Sequence, residues 1–417
     1  MSIDRENFKI REHCRVNSND EGDRFVGVKA DSENVVIYFP LGYELPLSDE
    51  ELKRDIKNLL HVLATFTDKT DRTLHIDKFT ASQSVEFPIQ AYLNVINYYL
   101  DHNGSYYTEV ESNYKVDKRG KTDWNRTIKT QIPMIQGKSL LYFDQIVRVS
   151  APNINRLITR IHKYCVHESF NRIGWLYTTN KPEQPDINFE KTLFVATLND
   201  KLLCTNNDVE KRLFRSMIAM IDFMDESTID KQFYFGTDKF ESVWEKLVDK
   251  YFGETNKQDY FPHALWTERY GSSKGRPVSA LEPDSIMIYG CNYYVLDAKY
   301  YRYGVFPELG VSALPQSSDI NKQITYGQFI KNKKTPEGAD VFNAFIMPFN
   351  MQENKFTINS YYGNVAEAVG DWITSPLTFE RVQGIVIDTR YLLKNYDGNH
   401  DNDKRLLSKE IEKGFIL

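Results

Sequence analysis

The chain has 417 residues, 41% of them hydrophobic and 13% aromatic, with a formal net charge of −6. That composition excludes a disordered polymer, and the length exceeds what one core of ordinary size needs, so two or three domains are expected. Four cysteines (Cys14, Cys165, Cys204, Cys291) stand far apart without a CxxC pair, which argues against a zinc site or a disulfide framework and fits a reducing, cytoplasmic setting. The charged first residues lack an apolar signal segment, and no apolar run approaches a membrane span, so no membrane association is expected. Net negative charge does not exclude a nucleic-acid partner, because phosphate contacts need only a local basic surface.

Residues 1 to about 60 read as short strands (Phe25 to Val28, Val35 to Phe39) followed by a helix that Ser48 caps, with Asp49, Glu50 and Glu51 in its first turn. A second helix, Pro88 to Leu100, carries Ile89, Tyr92, Leu93, Ile96 and Tyr99 at helical spacing, a core stripe. Between Gly104 and Val149, basic residues (Lys115, Lys118, Arg119, Lys121, Arg126, Lys129) are interleaved with Tyr114 and Trp124. Such mixing suits a nucleic-acid backbone or an acidic protein partner, and equally a solvated hairpin kept soluble by its lysines. Gly120-Lys121-Thr122 ends like a P-loop, but Lys115 occupies the place of its first glycine. No GxxxxGK[ST] occurs in the sequence, so nucleotide hydrolysis would have to come from another polypeptide. Residues 150 to 230 read as helices (Asn153 to Tyr164, Phe170 to Tyr177, Asp208 to Phe223) around a polar loop, Thr178 to Asn188. His162 and His167 read as satisfied core or surface histidines, since no third ligand stands nearby.

A composition change between Ser227 and Thr237 places the boundary of two regions, 1–230 and 231–417. The second begins with a helix whose apolar stripe is Phe240, Val243, Trp244, Leu247, Val248 and Tyr251, bordered by Glu245. A strand from Pro262 to Gly271, a polar loop from Gly271 to Arg276 and then a hairpin follow. In that hairpin Ile286, Met287 and Ile288 form one strand, Gly290 marks the turn, and Tyr293 to Leu296 form the other, ending in Asp297-Ala298-Lys299. Folding it brings Asp284 and Asp297 to one end, and side-chain alternation puts Asp297 and Lys299 on one face. Two carboxylates beside an ammonium suit hydrolysis of a phosphodiester: a hard divalent cation takes one or two carboxylates and leaves room for waters and phosphate. The bland reading is an edge hairpin carrying a surface ion pair. A helix from about Asp319 to Ile330 and a strand from Val341 to Met347 complete the series.

Pro283, Asp284, Asp297 and Lys299 resemble the PD-(D/E)xK nuclease motif. The order of helix, strand, hairpin, helix and strand resembles that superfamily's core, implying an α/β (α+β) fold with a mixed sheet flanked by helices. The resemblance implies an extra acid from the first helix, Glu245 (Glu241 as second choice), and a polar residue from the later helix, Gln323, one turn from Tyr326. Over the whole chain, RGKTDWNRTI (Arg119 to Ile128) together with the nuclease motifs resembles the LlaJI family of restriction endonuclease subunits, related to McrC. That likeness implies a cytoplasmic antiviral role: this chain would cleave double-stranded DNA with Mg²⁺ (Mn²⁺ able to substitute), beside a separate AAA+ GTPase or ATPase of McrB type. Asp284, Asp297 and Glu245 would hold the metal, Lys299 would position the attacking water, and Gln323 would orient Lys299 or the phosphate. Lys118, Arg119, Lys121, Trp124, Arg126 and Tyr326 would touch DNA or the partner, in a homo- or hetero-oligomer. Two other classes stay open: a non-catalytic assembly or activator subunit of the NTPase, and a stand-alone repair or junction nuclease.

Overall fold

The computed structural model describes residues 9–30, 35–66, 85–86, 88–177, 182–226, 233–267, 269–270, 276–333, 335–398 and 400–415. The polar loop expected at Gly271 to Arg276 lies outside them except for Arg276, as do residues 178–181 of the expected Thr178 to Asn188 loop and residues 227–232 of the boundary. The chain is α/β and its described residues fold as two compact units, one within Phe87–Ile229 and one within Phe8–Glu86 together with Asp230–Leu417.

The division differs from a simple cut near residue 230. Strands Cys14–Val16, Val35–Phe39 and Val26–Ala30 form a sheet that is continued by Phe233–Thr237 and Val85–Glu86, so the chain leaves this sheet at Glu86 and returns to it at Phe233. Phe233–Thr237 runs antiparallel to Val26–Ala30 with Gly236 opposite Gly27. A Cβ on either glycine would meet backbone oxygen at 2.2 Å (Gly27 on Phe235) or 2.1 Å (Gly236 on Val26), which is why both positions of the pair lack a side chain. The early strands therefore belong with the C-terminal part, for a reason that local patterning cannot carry: their pairing partner lies about two hundred positions away.

The larger unit is centred on a five-stranded mixed sheet in the order Ser285–Tyr289, Asn292–Ala298, Val341–Phe349, Arg381–Asp388, Tyr362–Val369. The outer pairs are antiparallel and the three inner strands parallel. Every residue of the central strand VFNAFIMPF is buried, the signature of a strand covered on both faces. Helix Ser317–Lys333 packs Tyr326 and Ile330 against Ile286, Val295 and Val341. Helix Phe240–Phe252 buries the expected stripe, and its Trp244 indole donates to the Ile346 carbonyl at 3.1 Å. The early segment is bolted to this sheet by Tyr300, whose buried hydroxyl accepts from the Leu41 N–H and donates to Asn17 Oδ1 at 3.4 Å. Arg390 adds ion pairs to Asp55 (2.7 Å), Glu51 (3.1 Å) and Glu44 (3.4 Å). Tyr300→Phe leaves the buried Leu41 N–H without its acceptor, so a loss of about 1–3 kcal/mol is expected. Urea unfolding of the full chain measures it, and an unchanged midpoint would show that the latch does not hold the segment.

The smaller unit packs helices Ile89–Asp101, Leu157–Ile173, Lys191–Cys204 and Asp208–Glu226. Lys191–Cys204 escapes a periodicity reading because its apolar residues are scattered, with Phe194 and Leu198 buried while Leu193 and Leu203 are exposed. His162 is a core histidine: burial pulls its pKa down to about 3, and Nδ1 accepts from the Tyr107 N–H at 2.8 Å. This unit also carries a β-rich segment in which Glu109–Val116 and Lys121–Thr122 both pair with Ile146–Asn153.

Candidate active site

Hairpin register decides the geometry. Ser285 stands opposite Leu296, so the next position out on each strand puts Asp284 across from Asp297. The two carboxyls lie close enough for the charge of Asp297 to act on Asp284, and Asp284 Oδ2 accepts from the Ala298 N–H at 2.9 Å. Burial, and then the charges of Asp297 and Glu245, push the Asp284 pKa up to about 7, with the Ala298 N–H pulling the other way. Burial is the largest single part of that rise, each neighbouring acid a smaller one.

The Lys299 ammonium lies 2.8 Å from Asp297 Oδ2 and 3.3 Å from Asp319 Oδ1. Burial pulls its pKa down, but the attraction of Asp297, and then of Asp319 and Asp284, outweighs this and holds it above the usual lysine range. Lys299 therefore stays charged, and its chemistry is that of a hydrogen-bond donor and counter-charge rather than of a base. Its backbone N–H donates to the Ile346 carbonyl at 2.8 Å, the same oxygen that receives the Trp244 indole. One carbonyl thus fixes both the lysine strand and the helix turn carrying Glu245. Glu245 keeps accessible surface, while partial burial of its carboxyl raises its pKa, Lys299 pulling it down and Asp297 and Glu241 pushing it up.

The hairpin end thus gathers Asp284, Asp297, Lys299 and Glu245. Two expected residues make hydrogen bonds within the fold itself. Gln323 is buried and donates Nε2 to the Val295 carbonyl at 2.7 Å, so it ties helix Ser317–Lys333 to the sheet. Tyr326 is 1% exposed within the apolar cluster, its hydroxyl donating to the Glu282 carbonyl at 3.1 Å, so it is a core residue and not a contact for DNA or a partner. Both sit where a helix stripe faces a sheet, and the spacing that suggested a site is the spacing of the packing face. Two neighbours escaped the sequence reading. Asp319 lies in the first turn of the helix after the lysine, a position that carried a signal. Lys257 carried none, and its ammonium, twenty-seven positions before Asp284, clamps the Asp284 carbonyl (2.7 Å) to Asp249 (2.6 Å).

Among the described residues no group of three or more His, Cys, Asp or Glu side chains forms a ligand cluster. The donor chemistry at the corner nevertheless fits a hard cation. Two carboxyls face each other there, and a divalent ion that keeps waters needs only one or two carboxylates.

In the smaller unit, Asp123 caps helix Trp124–Thr130 by accepting the Arg126 N–H at 3.0 Å, and Thr127 Oγ1 accepts the Ile146 N–H at 2.9 Å. The Arg126 guanidinium lies 3.8 Å from the Tyr114 ring centroid. Lys118, Arg119 and Lys121 are exposed at the Asp117–Gly120 turn, and Trp124 is exposed with Ile128, Ile132, Ile135 and Phe143. Part of the DWNRT signature therefore builds the local fold, and part faces solvent.

The family model for the LlaJI restriction endonuclease matches residues 25–366. The chain belongs to the LlaJI restriction endonuclease family. It is similar to "Type II restriction enzyme BsuMI component YdjA" of Bacillus subtilis (strain 168), with 24% identity over 353 residues that cover 80% of this chain and 74% of that protein. Among solved structures, a chain from the Thermococcus gammatolerans assembly of McrB AAA+ hexamers with bound McrC aligns with TM-score 0.40 and 15% identity, covering 93% of this chain and 83% of that one. Family membership makes the hairpin end, with its acids and lysine, the place to look for the endonuclease chemistry. No described helix is long and apolar enough to cross a membrane.

Proposed function

We propose that this chain is the DNA-cleaving subunit of a restriction system, of PD-(D/E)xK type, working with Mg²⁺ and a separate AAA+ GTPase or ATPase. The observation that carries the reading is the hairpin end that sets Asp284 across from Asp297, with the Lys299 ammonium 2.8 Å from Asp297. Asp284 and Asp297 would hold the ion, with Glu245 beside them. When bound, magnesium would polarise a phosphoryl oxygen and favour ionisation of a water. Lys299, kept charged by its two acid partners, would donate to the attacking water or to the phosphate as negative charge develops there. Asp319, 3.3 Å from the ammonium, would help hold it in place. Glu245, with its raised pKa and accessible surface, is placed to exchange a proton with solvent during the reaction.

The smaller unit supports an assembly role. Its exposed apolar side chains are of the kind that protein interfaces cover, so Trp124 and Ile128 are read as facing a protein, and Lys118, Arg119 and Lys121 as its charged rim. A separate motor fits a sequence with no P-loop, and it fits a relative whose name calls it one component of a restriction enzyme.

Incubation of supercoiled plasmid with the full chain and Mg²⁺, with and without the neighbouring AAA+ protein and GTP or ATP, tests this. Strand cleavage that EDTA abolishes is expected. Stimulated nucleotide hydrolysis with intact plasmid would instead make the chain an activator subunit. Cutting of branched DNA by the chain alone would make it a stand-alone nuclease.

A further inference from the structure

Before the hairpin with Asp284, the chain forms a separate two-stranded antiparallel ribbon, His263–Trp266 with Arg276–Ala280. All four residues of the first strand are exposed, so neither of its faces is covered. A bare two-stranded ribbon is marginal in water, yet this one carries Leu265 at 64%, Trp266 at 71% and Tyr270 at 104% relative exposure. Its register shifts between His263 and Leu265, a bulge of the sort that re-aims side chains near functional sites. The ribbon's foot is fixed: Leu281 N–H donates to the Pro262 carbonyl at 2.9 Å, and Tyr326 holds the Glu282 carbonyl. Two residues beyond that foot is Asp284.

Charge indicates the occupant. From His263 to Ala280 the sequence holds Arg269, Lys274 and Arg276 against the single acid Glu268, in a chain of net charge −6. Arg269 is exposed beside Tyr270. We infer that this ribbon is a DNA-contacting arm that lies in a groove of the duplex next to the phosphate to be cut, an inference that rests on the nuclease reading of the adjoining hairpin. The major groove of B-DNA admits a two-stranded ribbon. Arg269 would meet backbone phosphate, while Trp266 and Tyr270 would pack on sugars and base edges. Because the ribbon's second strand leads into the strand that presents Asp284, the arm sets where on the duplex the cut falls.

The test uses the full chain in Ca²⁺, which permits binding without turnover, titrated onto duplex DNA at several salt concentrations, and in parallel the plasmid assay in Mg²⁺. Trp266→Ala and Arg269→Ala are each expected to weaken binding about tenfold, and Arg269→Ala also to reduce the slope of log affinity against log salt by about one. Asp297→Asn is expected not to cut. Circular dichroism checks that the ribbon variants keep the fold, as substitutions at exposed positions should. Wild-type affinity and salt slope in both ribbon variants would overturn the arm, and so would a change of oligomeric state in place of a change in DNA affinity. A wild-type chain that binds DNA through the ribbon but never cuts would overturn the nuclease reading and leave the arm standing.

Discussion

Lys299→Ala and Asp297→Ala are each expected to lower plasmid cleavage by about 10³-fold, the scale seen when a preorganised charge-stabilising group is removed. Folding and partner binding should stay intact. The two variants differ in what they leave behind. Without Lys299 the corner keeps its acids and loses the cation that faces them at 2.8 Å from Asp297 and 3.3 Å from Asp319. Without Asp297 the ammonium keeps Asp319, and the repulsion that raises Asp284 is relieved. Removing one of several crowded acids is therefore a mild event for stability, unlike breaking an isolated buried pair. Thermal melts should confirm this, so lost activity reports chemistry rather than unfolding. Asp319→Asn retains the shorter ion pair, so a smaller loss, on the order of tenfold, is expected from looser positioning of the ammonium. Cleavage by Lys299→Ala within a few-fold of wild type would remove the lysine from the mechanism.

What the sequence reveals is what is local. The strands Ser285–Tyr289 and Asn292–Ala298 follow from alternating apolar runs around Gly290, and their register alone puts Asp284 across from Asp297. The Glu245 helix is legible because its stripe is complete, and burial of Phe240, Val243, Trp244, Leu247, Val248 and Tyr251 confirms it. The helix after the lysine is legible too, but residue roles within it are not. Gln323 and Tyr326 are polar groups on a packing face, and only a tertiary partner (the Val295 carbonyl, the Glu282 carbonyl) shows that their polar atoms are already engaged. Long-range pairing is equally invisible. Phe233–Thr237 has no local mark of being the neighbour of Val26–Ala30 beyond a glycine in each, and that pairing moves the first strands into the unit with the site. The DWNRT signature is read as a unit in the sequence, whereas the structure separates Asp123 and Thr127, which hold the helix, from the exposed Trp124.

Metal and proton should compete at the hairpin corner, and the competition has a definite sign. The Asp284 carboxyl has its pKa raised from 3.8 to about 7 in the folded chain. The folded state therefore binds this proton more tightly than the unfolded state does. The ion-free protein is then most stable, as far as this group is concerned, below about pH 4, and loses that contribution as pH rises from 3.8 towards 7. A divalent cation replaces the proton and removes the repulsion, so Mg²⁺ should raise the melting temperature at pH 8 and do little at pH 5. Binding should release a proton and tighten by roughly tenfold per pH unit below 7, levelling off above it. Mn²⁺ should behave the same way, and EDTA should abolish cleavage at every pH. Calorimetry in two buffers of different ionisation enthalpy counts the released proton directly. Asp284→Asn separates this cause from others: it removes both the proton release and the pH dependence of the Mg²⁺-induced stabilisation. A Mg²⁺ effect on melting that is the same at pH 5 and pH 8 would show that the ion, if it binds, does not bind at Asp284.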